Sequence, residues 1–363
     1  MEMKKIAVIG AGVVGMTTAY RLSQLGHNVV IIDPELNQSK IPTGCRTASQ
    51  ASLGILMGNT FRRSSGRSWK LRQRSMALWP ELIKELATFD KSLKLETPLI
   101  QLASDYKEME LMKRLCKERS HLGLKLLNEE MNQCLKPSWP KNQYRGIVSA
   151  HDGRVNPLKL LNCLKATLDK LKVKTISAKV ISLSRSSHEE KTKWKVILEN
   201  KKVLIKEFVV ICSALGSQSL LKKIGYDKPI EAVLGQALHL TLKKDNSSWK
   251  NWPAVLTCNG INLVPLKENQ VIVGATLEPG VTANKVYLNK LLALNGLAPK
   301  WLKDASLNNN WYGIRARPLK EPAPILETIE TGLILNTAHY RNGILLAPAC
   351  AEWVGNQIRA KLL

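Results

Sequence analysis

The stretch from Lys4 to Asp33, KKIAVIGAGVVGMTTAYRLSQLGHNVVIID, leaves this chain few folds to choose from. Ile6, Ala7, Val8 and Ile9 form a short, wholly apolar run, as a parallel strand covered on both faces requires. Gly10, Gly12 and Gly15 then complete G-x-G-x-x-G, and each glycine has its own duty. Gly10 permits a tight turn, Gly12 lets the backbone touch a pyrophosphate, and Gly15 lets helix and strand pack closely. Val13 and Val14 open the next helix, whose N-terminal N–H groups and positive dipole end suit phosphates. Ala19, Leu22 and Leu25 recur at helical spacing, Gly26 suits a C-terminal cap, and Val29 to Ile32 form a second buried strand. Asp33 ends that strand where a carboxylate accepts hydrogen bonds from an adenosine ribose. A lone glycine motif is weak. Here the strand before, the helix after and the terminal acid agree, so a dinucleotide site is expected.

At 363 residues the chain is long enough for two domains. Its 54 Lys+Arg against 29 Asp+Glu leave a net charge of +25, which attracts nucleic acid, anionic membrane or acidic substrates. The lysines are spread along the chain, which points to a general bias. Only Phe61 to Arg74 is locally sharper, with six cations and no acid. If helical, Arg63, Arg67, Lys70 and Arg74 share one face, read here as solvated. Single-strand binders interleave aromatic platforms with cations, so no nucleic-acid partner is expected. The seven cysteines include no C-x-x-C, which suggests neither disulfides nor zinc and fits a reduced, cytoplasmic setting. The six histidines show no metal-ligand spacing, and the expectation is no metal. Glycines interrupt the apolar run after Lys4-Lys5 where a signal core would continue, and no segment approaches the ~20 apolar residues of a membrane span.

Further along, Pro34 to Thr43 reads as an exposed loop, and Gly44 to Gly58 is rich in small residues, with Thr47, Ser49 and Ser52 offering hydroxyls to a ligand. Trp69 to Leu86 is helical in pattern, with Pro80 liable to interrupt or restart the helix. Asp105 to Leu122 reads as an amphipathic helix and Asn128 to Cys134 as a shorter one. Asn156-Pro157 caps and starts a helix. Strand-like segments follow, with a polar turn at His188 to Lys191, and Glu207 to Cys212 leads into a small-residue turn through Gly216. Pro229 to Pro279 alternates in the manner of an antiparallel sheet. Gly332 to Ile358 reads strand, glycine turn, helix. No hydrolytic constellation is visible, so a bound dinucleotide should carry the chemistry.

Several blocks together resemble the FAD-dependent D-amino acid oxidase family, and within it the glycine oxidases. They are the glycines with Asp33; Val264-Pro265 leading to Val271-Ile272-Val273-Gly274-Ala275-Thr276; Trp311-Tyr312-Gly313-Ile314-Arg315; and His339 to Ala349, HYRNGILLAPA. The resemblance implies an α/β fold with a discontinuous, Rossmann-like FAD domain (residues 1–80, 146–224 and 312–363) and a substrate domain on a large antiparallel or mixed sheet (81–145 and 225–311). It implies an FAD-dependent oxidoreductase oxidising a small amino acid or amine by hydride transfer from the α-carbon to flavin N5. Oxygen or another electron acceptor completes the reaction, and in the family it can feed thiamine biosynthesis. By position, Asp33 holds the ribose and Val180 the adenine. Arg46, Thr47 and Ser49 line the pyrophosphate and ring, with Gly216 nearby. Arg341, Asn342, Gly343, Ile344 and Leu345 border the flavin. Arg315 matches the arginine for the substrate carboxylate, with Arg317 two residues on as the alternative. Asn262 stands where glycine oxidases carry a tyrosine. A D-amino acid dehydrogenase and an RNA-modifying flavoprotein of the same fold remain alternatives, and a homo-oligomer is left open.

Overall fold

The computed structural model describes residues 2–36, 44–128, 130, 134–139, 145–186, 193–243 and 249–360. The turn expected at His188 to Lys191, most of the helix expected over Asn128 to Cys134, and the loop beyond Leu36 lie outside them.

The apolar run after Lys4 forms the strand Lys5–Ile9, at the centre of a six-stranded sheet. Its parallel neighbours are Asn28–Ile32, followed by Lys174–Ile176, on one side, and Phe208–Ile211, followed by Leu333–Thr337, on the other. Ile325–Glu330 closes that edge antiparallel. Both faces of the central strand are covered, which is why it needs no polar alternation. Ile6 and Val8 pack with helices Val13–Gln24, Pro157–Lys170 and Gly343–Ala360. Ala7 and Ile9 pack with Val180, Leu183, Trp194, Val196 and Leu198 of a small antiparallel sheet. Each fully buried Ile or Val is worth roughly 1.5–3 kcal/mol.

The second large sheet is mixed and mostly antiparallel. Its order is Gly44–Arg46, Ser306–Pro318, Ile230–Thr241, Gln270–Gly274, Ile261–Pro265, Val255–Cys258, Leu99–Leu102, Gly146–Ser149 and Leu124–Leu126. Sheet membership crosses the ranges inferred from sequence. Gly146–Ser149 pairs with Leu99–Leu102, and Tyr312 to Pro318 continue a strand paired with Ile230–Thr241. Gly44–Arg46 joins the same sheet by parallel pairing with Trp311 to Gly313. This carries the chain from the dinucleotide unit onto the large sheet.

Pro80 does not break its helix, which runs unbroken over Gly66–Leu86. Its ring is on the exposed side, where the Met76 carbonyl that lacks its usual donor can turn to water. The basic face expected there is only partly formed. Arg63 precedes the helix, Arg67 donates to the carbonyls of Pro322 and Pro324, and Arg74 makes a two-bond pair with Glu352 at 2.6 and 2.7 Å. No helix of the described residues is long and apolar enough to cross a membrane.

Candidate active site

A cavity of about 1390 Å³ opens between the two large sheets. At one end lies the glycine turn. Gly10 has φ +105°, and a Cβ there would sit 2.7 Å from the Cys212 carbonyl oxygen. A Cβ on Gly15 would sit 1.9 Å from the Gly10 carbonyl oxygen. Gly15 therefore acts behind the cavity wall by permitting contact, while Gly10, Gly12, Val13 and Val14 form the wall itself. Asp33 Oδ2 accepts the Ala11 N–H and Oδ1 the Glu35 N–H, both at 2.8 Å, which fixes the carboxylate beside the turn. Val180 and Gly216, each at the start of an element that reaches this end, line it too.

The segment after Gly44 folds as a short helix, Ala48–Ala51, with a reciprocal cap in which Thr47 and Gln50 satisfy each other's backbone N–H groups. Ser49 Oγ accepts the Val13 N–H at 3.0 Å and Ser52 Oγ the Gly54 N–H at 3.0 Å. A hydroxyl that accepts from backbone keeps its own proton to donate. Thr47 and Ser49 line the cavity. Arg46 is not in its wall; the guanidinium lies over the Trp311 ring, 4.5 Å from the centroid, and holds the segment to the sheet.

The opposite wall is one face of the large sheet. Gln101, Thr257, Asn262, Gly274, Ala237 and Trp311 lie opposite one another across successive strands, so they share a face. Gly313 and Arg315, two and four residues beyond Trp311, share it as well. Asn262 Nδ2 donates to the Gly274 carbonyl at 3.2 Å, and Oδ1 accepts from Thr257 at 2.8 Å. Arg315 Nη1 donates to the carbonyls of Leu234 and Thr276, each at 3.1 Å. Burial pushes its pKa down to about 10, with Arg341 adding to the fall, and the guanidinium stays charged near neutral pH. Gly235 makes room for it, since a Cβ there would lie 2.1 Å from Nη2. Arg317 is half exposed and paired with Glu231. Of the two arginines, only Arg315 lines the cavity.

Arg341, Asn342, Gly343, Ile344 and Leu345 also line it, at the N-terminus of helix Gly343–Ala360. Beside them His339 is buried, and its Nε2 has no partner among the described residues. Burial pushes its pKa down to about 3 from 6.5. Between those values the unfolded chain takes up a proton that the folded one refuses. Stability is therefore lost as pH falls below about 6.5, by up to ~1.4 kcal/mol per pH unit. In His339→Gln the decline in Tm from pH 6.5 to about 4 should be shallower than in the wild type. An unchanged slope would assign the acid lability to other groups.

Several features of the site carried no sequence signal. Buried Glu278 stands behind Arg315 and accepts from Gln236 Nε2 at 2.8 Å and the Asn284 N–H at 2.9 Å. The cavity-lining loop after Gly58 is held from both sides. Asp152 accepts the N–H groups of Gly58, Asn59 and Thr60 at 2.9–3.0 Å. Arg119 donates to the carbonyls of Asn59, Phe61 and Arg63. Hydrogen bonds to charged groups contribute about 1.5–3 kcal/mol each, so this wall is preorganised.

Set beside known proteins, the chain matches the profile of the DAO family, FAD dependent oxidoreductases, over residues 5–357. It is 25% identical to a glycine oxidase of Pseudomonas putida over 358 residues, 96% of this chain and 93% of that one. It is 26% identical over 363 residues to a bifunctional protein ThiO/ThiG of Nostoc sp., covering 98% of this chain and 52% of that longer one. The crystal structure of glycine oxidase from Geobacillus kaustophilus superposes with a TM-score of 0.82 at 23% identity, covering 99% of this chain and 95% of that one.

Proposed function

Because the chain belongs to the family of FAD dependent oxidoreductases, we propose that it oxidises a small amino acid or amine at the carbon bearing nitrogen, with FAD held in the cavity between the two sheets. The observation that carries this reading is that one cavity takes in both the glycine turn with Asp33 and the partly buried, charged Arg315. The residues fit the cofactor: the contact-permitting glycines leave backbone open to a pyrophosphate, and Asp33 is held where a ribose would meet it. When bound, FAD supplies a hydride acceptor. The chain's part is to bind and orient. Thr47 and Ser49 offer hydroxyl protons toward the phosphates, and the Val180 backbone borders the adenine. Residues 341–345 border the flavin ring, and the wall residue Asn262 presents its fixed amide to the substrate side. Arg315 takes the substrate carboxylate, so that the α-hydrogen is aimed rather than merely nearby.

The glycine oxidase relatives favour an amino acid as substrate and oxygen as acceptor. The purified protein should be yellow and lose its visible flavin absorbance under nitrogen when a competent amine is added from a panel of glycine, sarcosine and D-amino acids. Peroxide formed on readmitting air would assign oxygen as acceptor. Acid precipitation should leave FAD in the supernatant. A colourless protein that takes up only a nicotinamide cofactor, or a flavin that no amine bleaches, would overturn the proposal.

A further inference from the structure

Three arginines among the described residues are more than nine-tenths buried, and they differ in what stands beside them. Arg119 is tied to three carbonyls, and the buried carboxylate of Asp152 acts on it. Arg154 lies 3.3 Å from Glu96. Arg72 has no such neighbour. Its Nη1 donates to the Ser68 carbonyl at 3.1 Å, the guanidinium lies over the Phe61 ring at 3.8 Å, and its buried Nε has no hydrogen-bond partner. Burial lowers its pKa to about 10, with no acidic group opposing the fall. Taking a cation out of water without a countercharge is unfavourable, and the Ser68 carbonyl and the Phe61 ring offset it only in part.

Arg72 is also the only one of the three that lines the large cavity. The carboxylates in that wall are Asp33 and Glu35, which belong with the glycine turn. Its arginines are Arg62, Arg63, Arg72, Arg315 and Arg341. Arg62 is matched by Glu108 at 2.8 Å, and Arg315 is assigned above to one substrate carboxylate. A substrate with a single carboxylate leaves the buried charge of Arg72 unmatched. The cofactor's phosphates belong at the Gly10 turn. Arg72 is instead framed by Phe61 and the start of the helix Gly66–Leu86, and it lines the same cavity as Gln101 and Asn262.

We infer that Arg72 receives a second anionic group of the substrate, so that this site is built for amino acids or amines bearing a further carboxylate. The inference rests on the proposed amine oxidation and adds its substrate class. A guanidinium can hold a carboxylate at two points, and the buried Nε–H of Arg72 is left without a partner to receive one.

The test uses the holoenzyme under nitrogen and compares flavin reduction by glycine and sarcosine with reduction by D-aspartate, D-glutamate and iminodiacetate. At least one of the three dicarboxylic amines should exceed glycine in kcat/KM by about 30-fold or more. In Arg72→Gln that ratio should fall by a similar factor, chiefly through KM, and Arg72→Lys should restore part of it. Binding of succinate, read by perturbation of the flavin spectrum and by a rise in Tm, should weaken in Arg72→Gln as well. Equal use of glycine and the diacids, with a ratio unmoved by Arg72→Gln, would overturn the inference and leave the amine reading intact. Loss of FAD or a fall in Tm in Arg72→Gln without a change in the ratio would also overturn it, by making Arg72 a cofactor or packing residue. If no amine bleaches the flavin, the amine reading falls, and succinate binding alone then decides whether Arg72 holds an anion.

Discussion

Arg315→Ala is expected to lower kcat/KM for the amine substrate by roughly 30-fold to several thousand-fold, while FAD content stays at the wild-type level. The range follows from the cost of truncating one partner of a buried charge pair, about 2–5 kcal/mol. Three features put Arg315 at the upper end. Its Nη1 is already fixed by two carbonyls, so the guanidinium meets a carboxylate without being ordered first. Burial already lowers its pKa to about 10, and partial desolvation of this kind strengthens any pairing made there. The nearby carboxylate of Glu278 is already engaged by Gln236 and Asn284 and leaves the guanidinium available. Arg315→Lys should recover only part of the loss, because an ammonium cannot make two parallel bonds. Gly235→Ala offers the same test without deleting the charge, since its Cβ would collide with Nη2 and push the guanidinium off the sheet. Arg317→Ala is the control. Its half-exposed pair with Glu231 is of the kind worth at most about 1 kcal/mol. Near-normal turnover in Arg315→Ala with collapse in Arg317→Ala would move the carboxylate site two residues along the strand.

What could be read from the sequence follows how far apart the partners of each contact lie. The turn at Gly10 to Gly15 was legible because its requirements are local: a residue with positive φ, a close backbone approach and a helix start all fall within six positions. Likewise Asn156 caps its helix as its position before Pro157 suggests. The block from His339 to Leu345 was legible as a glycine turn into a helix, but only resemblance singled it out as part of the site. Its place in the wall comes from a helix that packs against Val13–Gln24, more than three hundred residues earlier. Arg119 and Asp152 gave no signal, and Arg72 passed as one of six cations in a stretch read as solvated, because a buried charge looks like any other charge until the element that covers it is known. Pro80 misled because the rule that proline breaks helices weakens where the ring faces solvent.

The glycine turn supports a second large effect. Gly15→Ala should yield protein with little or no FAD and a lowered Tm, whereas Gly12→Ala should fold and bind FAD more weakly. The two substitutions add the same methyl group and differ in what it meets. At Gly15 the methyl would lie 1.9 Å from the Gly10 carbonyl oxygen, a backbone atom within the turn itself, so the helix and the central strand must separate. Overpacking of this kind typically costs 1–3 kcal/mol, and here the displaced backbone is the one that faces the phosphates. At Gly12 the methyl would lie 3.1 Å from Ser49 Oγ, a side-chain atom that can rotate, and φ is −69°, which any residue adopts. Moving Ser49 breaks its bond to the Val13 N–H, and the new methyl stands between backbone and pyrophosphate. Binding should then weaken while the fold survives. The flavin-to-protein absorbance ratio and the Tm of each variant, read side by side, check this. Equal losses of FAD and Tm in both variants would show that crowding anywhere in the turn unfolds the site, and that the division of duties among the glycines does not hold for this chain.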